Sequence, residues 1–173
     1  MDLKLFQLIN KLSGRLSPVD NLMIFISNRA RYVYAFIILV LLFKNRKNKR
    51  IALETGSSVL LSLIVQFFIK LFYDKPRPFE KRRVGILIPS KTDSSFPSKH
   101  TTLAFAASTS ILMFHRKLGA IMMWMSALTG FSRIWVGHHY PSDIIGSAIL
   151  GSLISFVTRI ISFSKFGNKP EAS

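Results

Sequence analysis

Two stretches constrain this chain more than anything else in it. AFIILVLLF (residues 35–43) and IGSAILGSLISF (residues 145–156) have no charged or strongly polar face at helical spacing. A helix in a soluble bundle must turn such a face to water, so these two segments belong in hydrocarbon. A bilayer span takes roughly 20 mostly apolar residues. Five stretches qualify once Ser, Thr and Gly are allowed inside. They are 32–43 (extendable back through Met23 to Ser27), 51–73, 97–114, 118–136 and 141–163. The expected fold class is therefore all-α, a polytopic membrane helix bundle of about five spans.

The N-terminus reads differently. Leu3, Leu5, Phe6, Ile9 and Leu12 recur at helical spacing with Lys4 and Lys11 between them. That pattern is too short and too charged to span, and it lacks the apolar core of a signal peptide. Residues 2–13 and 18–28 are expected to be amphipathic interfacial helices, with Arg29 and Arg31 snorkelling to headgroups. The division is then 1–30 interfacial, 31–163 membrane core and 164–173 tail.

Charge sharpens this. Lys and Arg number 24 against 8 Asp and Glu, a net charge of +16, yet 49% of residues are hydrophobic. So apolar a chain is no nucleic-acid binder, and its charge must be local. The absence of cysteine excludes a disulfide scaffold and a thiolate metal site. KNRKNKR (44–50), His115-Arg116-Lys117, and Lys165 with Lys169 follow or join spans. Positive-inside logic places them in the cytoplasm and the two intervening links outside. The 74–96 link carries six basic residues of its own, so those charges must serve another purpose.

Three polar clusters fall at that outer face: Lys70, Arg77 and Pro78; Pro97, Ser98, Lys99 and His100; and Ser132, Arg133, His139 and Asp143. Lys70, Arg77 and Arg133 are three cations that must share an anion, and a phosphate suits the guanidinium fork. Pro97 and Pro141 each fit the first position of a helix, which would aim free backbone N–H groups at the same anion. Asp143 lies four residues past His139, within reach of the imidazole on a helical turn. A carboxylate there fixes the tautomer and makes the other nitrogen a better nucleophile or base. His100 is left to act as an acid. His115 and His138 read as amphipathic-edge residues, and the Ser147, Gly151, Ser155 ridge as helix packing.

Lys70-x6-Arg77-Pro78, Pro97-Ser98-x-His100 and Ser132-Arg133-x5-His139-x3-Asp143 together resemble the type 2 phosphatidic acid phosphatase superfamily over about residues 50–160. The resemblance implies that His139 is the nucleophile, forming a phosphohistidine, with Asp143 its partner. It makes His100 the acid for the leaving group, and Lys70, Arg77, Ser98 and Arg133 the phosphate ligands, with no metal or other cofactor. Lys99 departs from the family, which has Gly there. The DKPRPF and FSRIWVGHHYPSDIIGS runs are most similar to the bacitracin-resistance type of undecaprenyl pyrophosphate phosphatase. That similarity implies a polyprenyl diphosphate lipid substrate and a bacterial cell membrane enzyme facing outward. A phosphatidylglycerol phosphate or phosphatidic acid phosphatase would carry the same catalytic set. A non-enzymatic phosphate-lipid binder or transporter would need the cations but not the histidines.

Overall fold

In the computed structural model, residues 2–81, 84–89 and 92–166 are described; Met1, Arg82, Arg83, Ser90, Lys91 and the tail from 167, with Lys169, lie outside them. The elements are α1 (Asp2–Asn10), α2 (Ser17–Lys44), α3 (Arg46–Phe72), α4 (Pro78–Lys81), α5 (Lys99–Leu112), α6 (Arg116–Trp135) and α7 (Pro141–Phe166).

The bundle is all-helical among the described residues. Three helices are long and apolar enough to cross a membrane: Ser17–Lys44, Arg46–Phe72 and Pro141–Ser164. The other two expected spans are the 14-residue α5 and the 20-residue α6. At 1.5 Å per residue α5 extends only about 21 Å. It needs no lipid-facing surface, because it packs against α3, α6 and α7 at once. Its buried face is small and hydroxylated, including Thr101, Thr102, Ala106, Ala107, Ser108 and Ser110. Hydroxyl pairs tie it to its neighbours, Thr55 to Ser110 and Thr109 to Ser152, each at 3.0 Å. The outer shell is the reverse: Phe36 is 65% exposed and Phe72 84%. A small, polar interior beneath exposed Phe and Ile is what close helix packing in lipid requires.

The expected second interfacial helix over 18–28 is not a separate element. Residues 17–44 form one uninterrupted helix, with Asp20, Met23, Ser27, Ala30 and Tyr34 buried along one stripe. That stripe packs on α6, which holds the segment within the bundle. The 44–50 basic cluster is not a loop either. Asn45 alone separates α2 from α3, and its side chain accepts from the Asn48 N–H at 2.9 Å.

Helix α1 is fastened to the bundle. Phe6 is fully buried, edge-on to Tyr140 with ring centroids 5.6 Å apart. Asn10 brackets Gly85, donating to its carbonyl at 2.9 Å and accepting from its N–H at 3.0 Å. Asp2 accepts from the Ser142 N–H at 2.9 Å and from its hydroxyl at 2.5 Å. The helix thus fastens both the 84–88 strip and the start of α7. The small ridge of α7 packs as expected. A Cβ on Gly151 would sit 2.3 Å from the Thr102 carbonyl oxygen, and Ser155 donates to the Ala106 carbonyl at 2.6 Å.

Candidate active site

At the end of the bundle away from Asn45, five chain segments meet. The last turn of α6 supplies Arg133. Gly137, at φ +87°, then reverses the chain where a Cβ would come within 2.5 Å of the Gly85 oxygen. A side chain is excluded there on both counts. The N–H groups of His138 and His139 return to the Arg133 carbonyl at 3.0 and 3.3 Å. Pro141 opens α7 as expected, with Asp143 in its first turn. Opposite, α3 ends two residues after Lys70, and Arg77 lies between α3 and α4. Pro97 is not the first residue of α5, which starts at Lys99 with Ser98 as its cap. The Ser98 N–H turns instead to the Ser147 hydroxyl at 2.7 Å. His100 sits in the first turn of α5, within electrostatic range of Arg133, Arg31 and His138. Lys99 is exposed.

The cations are already engaged. Lys70 donates to Asp93 Oδ2 at 2.8 Å and to the Ser94 carbonyl at 2.9 Å. Arg77 donates to Asp93 Oδ1 at 2.5 Å, the Asp93 carbonyl at 2.9 Å and the His138 carbonyl at 3.2 Å. A single carboxylate thus occupies two of the three cations that the sequence pattern assigns to phosphate. Burial alone would raise Asp93, but Lys70 and Arg77 outweigh it and hold its carboxyl below the usual range. Arg133 donates to the Ser27 hydroxyl and meets His138 Nδ1, each at 2.6 Å. Its Nε–H is buried with no partner, a donor that calls for an acceptor.

His138 corrects the expectation of an edge residue. It is 2% exposed, with Nδ1 on Arg133 and Nε2 on the Ile88 carbonyl at 2.8 Å. That arrangement needs the neutral ring, with Nε2 the donor. Burial, then Arg133, lowers its pKa to about 4. His115 bonds Asn48 at 2.9 Å at the far end of the bundle and belongs to packing there.

His139 is equally buried. Its Nδ1 lies 2.7 Å from the Ser95 carbonyl oxygen and 4.0 Å from Asp143 Oδ2. The direct carboxylate–imidazole bond suggested by the four-residue spacing is therefore not made. Asp143 Oδ2 instead accepts from the Ser95 hydroxyl at 2.5 Å and the Tyr140 N–H at 2.9 Å, and Oδ1 accepts from Lys75 at 2.6 Å. Burial, then the positive fields of Arg133 and Arg77, press His139 well below the ordinary histidine value. A neutral imidazole tied at Nδ1 presents Nε2 as a nucleophile.

Sequence reasoning brought together Lys70, Arg77, Ser98, His100, Arg133, His139 and Asp143, and the fold gathers these segments at one end. It missed Lys75, Asp93, Ser95 and His138. The signal for two of them was local, in the TDSS run that only Phe96 separates from the PSKH motif. Among the described residues no three His, Asp or Glu side chains group as metal ligands.

The family model of the PAP2 superfamily matches residues 51–166, from the second turn of α3 to the end of α7. The undecaprenyl-diphosphatase BcrC of Bacillus subtilis is 42% identical, covering 91% of this chain and 82% of its own. The undecaprenyl-diphosphatase of Sulfolobus acidocaldarius is 28% identical, covering 91% and 76%. The fold is shared with LpxE from Aquifex aeolicus, at TM-score 0.79 and 24% identity over 92% of this chain and 94% of that one. It is also shared with a PAP2-type phosphatidylglycerolphosphate phosphatase from Bacillus subtilis, at TM-score 0.68 and 20% identity, covering 98% and 87%.

Proposed function

The chain belongs to the PAP2 superfamily, and we propose that within it the protein is a membrane undecaprenyl-diphosphatase working through a phosphohistidine. The observation that carries the mechanism is His139: buried, neutral and held at Nδ1, beside an Arg133 whose buried Nε lacks an acceptor. A phosphate oxygen supplies that acceptor. The 42% identity to an undecaprenyl-diphosphatase over most of both chains supports the lipid diphosphate as substrate.

His139 Nε2 attacks the terminal phosphorus, and the bond to the bridging oxygen breaks. His100 protonates that oxygen and undecaprenyl phosphate leaves. Water, giving a proton to the now neutral His100, then attacks the phosphohistidine, which returns the imidazole, releases inorganic phosphate and restores the acid. Arg77, Arg133, Lys70 and Ser98 hold the phosphoryl oxygens while charge redistributes. For the two cations on Asp93, substrate must take the place of that carboxylate. A dianionic headgroup is better matched to two cations than one half-exposed carboxylate is.

The basic 44–50 segment lies at the opposite end of the bundle, which favours an active site on the outer face of the cell membrane. The chain has no cysteine, so a single Thr92→Cys reports orientation directly. Thr92 is exposed, and an impermeant maleimide should label it in intact cells. Protection until lysis would reverse the orientation. The catalytic reading is tested by phosphate release from purified protein in detergent with EDTA. Undecaprenyl diphosphate should be turned over faster than phosphatidylglycerol phosphate. The opposite preference would refute the substrate, and no release from either would refute the enzyme.

A further inference from the structure

Ser95 is fully buried and spends every polar group on the site. Its N–H donates to the Lys75 carbonyl at 2.7 Å. Its own carbonyl accepts from His139 Nδ1 at 2.7 Å, and its hydroxyl donates to Asp143 Oδ2 at 2.5 Å. Asp143 itself stands 4.0 Å from that imidazole nitrogen, beyond hydrogen-bond reach. Among the described residues, Asp143 is therefore joined to His139 through Ser95, whose hydroxyl meets the carboxylate and whose carbonyl meets the imidazole.

We propose that Ser95 is a positioning residue for phosphoryl transfer: its carbonyl sets the tautomer of His139, and its hydroxyl anchors that carbonyl through Asp143 to the start of α7. The proposal rests on His139 being the nucleophile. A main-chain carbonyl selects the Nδ1–H tautomer as a carboxylate would, but brings no full negative charge to the ring. The charge of Asp143 is moreover shared with Lys75 at 2.6 Å. The imidazole is thus oriented without being made a strong base, so it stays unprotonated among Arg77, Arg133 and His138. Orientation then depends on one carbonyl in an irregular segment, and a lone carbonyl there has rotational freedom. The Ser95 hydroxyl removes it, and Lys75 fixes the carboxylate that receives the hydroxyl.

The test is a double-mutant cycle in the full-length protein. Ser95→Ala keeps the carbonyl and loses only the anchor. Its kcat should fall about tenfold or more, from a misplaced nucleophile, with KM within about twofold of the parent. Ser95→Thr, which restores the hydroxyl, should recover most of the loss. Asp143→Asn should also slow turnover, and adding Ser95→Ala to it should cost little more, because the two act along one path. Parent kcat in Ser95→Ala, or losses that multiply fully in the double variant, would overturn the proposal. Should Ser95→Ala not fold, Ser95→Cys takes its place in the cycle, its thiol being a weak donor. Rapid-quench trapping of phosphohistidine separates this from the underlying reading. A parent that turns over substrate without accumulating or passing through phosphohistidine sinks the nucleophile assignment. A parent that forms it, with Ser95→Ala forming it equally fast, sinks only the role of Ser95.

Discussion

Arg133→Lys keeps the charge and removes the fork. In the native site one terminal nitrogen holds the Ser27 hydroxyl, the other faces His138 Nδ1, both at 2.6 Å, and the buried Nε has no partner; on the proposed mechanism it meets substrate. A lysine offers a single nitrogen for these three directions. It can keep one contact, so at least one structural bond and the planar approach to phosphate are lost together. A charge-assisted hydrogen bond contributes about 1.5–3 kcal/mol. If that contact matters chiefly in the transition state, one such loss corresponds to roughly a 10–150-fold fall in kcat/KM. The assay is inorganic phosphate release from undecaprenyl diphosphate in detergent with EDTA, alongside a thermal melt to separate rate from folding. A variant with the parent's melting temperature and a tenfold or greater loss meets the expectation. Parent turnover would mean that Arg133 holds α2 to the 136–140 link and never touches phosphate.

His139→Ala should abolish turnover and phosphohistidine labelling alike, whereas His100→Ala should keep measurable labelling on the diphosphate; full activity in His139→Ala would remove the mechanism. The His100→Ala defect should be larger on a lipid monoester, whose alkoxide leaving group needs a proton more than a lipid phosphate does. Gly151→Ala puts a methyl group 2.3 Å from the Thr102 carbonyl. It should lower the melting temperature by several degrees, the usual cost of overpacking being about 1–3 kcal/mol, and an unchanged melt would show that α5 and α7 yield easily.

What was legible in the sequence was whatever a period or a fixed spacing records. The uniformly apolar runs gave the helices that cross the membrane, and the Ser147, Gly151, Ser155 ridge gave the tight contact with α5. The spacing from His139 to Asp143 put both on one turn, yet it does not report which atoms meet. Ser95 enters between them from a link that is 44 residues earlier, and no local pattern encodes such an approach. The same holds for His138. Its neighbours Arg133 and Ile88 come from α6 and from a strip pinned by Asn10, so burial there is a tertiary outcome. The short α5 shows a different limit of hydropathy. Its hydropathy resembles a lipid-exposed span, but small residues can be apolar enough for lipid and still be chosen for packing. Arg29 and Arg31 suggest a boundary after 18–28, yet the segment continues into one helix with 29–44. They are merely the exposed side of a continuous helix, with Arg31 folded over the Tyr32 ring at 4.8 Å.

On the proposed mechanism, the field around His139 makes the substrate part of its own activation. In the free site, burial, then Arg133 and Arg77, holds the ring well below its ordinary pKa. A less basic nitrogen is also a weaker nucleophile toward phosphorus. A bound diphosphate brings negative charge against those same arginines, cancelling the second and third causes while burial remains. The sign is then fixed: the imidazole of the complex must have a higher pKa than that of the free enzyme. The pH dependence of kcat/KM reports the free enzyme and that of kcat reports the complex. Lowering the pH should therefore leave kcat/KM unaffected by His139 until well below the ordinary value of about 6.5, while the acid limb of kcat lies at higher pH. Arg77→Gln removes one depressing cation and should move the kcat/KM limb upward, toward that of kcat. Coincident limbs in the parent, or a limb of kcat/KM lying above that of kcat, would mean that the arginines do not act on the nucleophile through their charge.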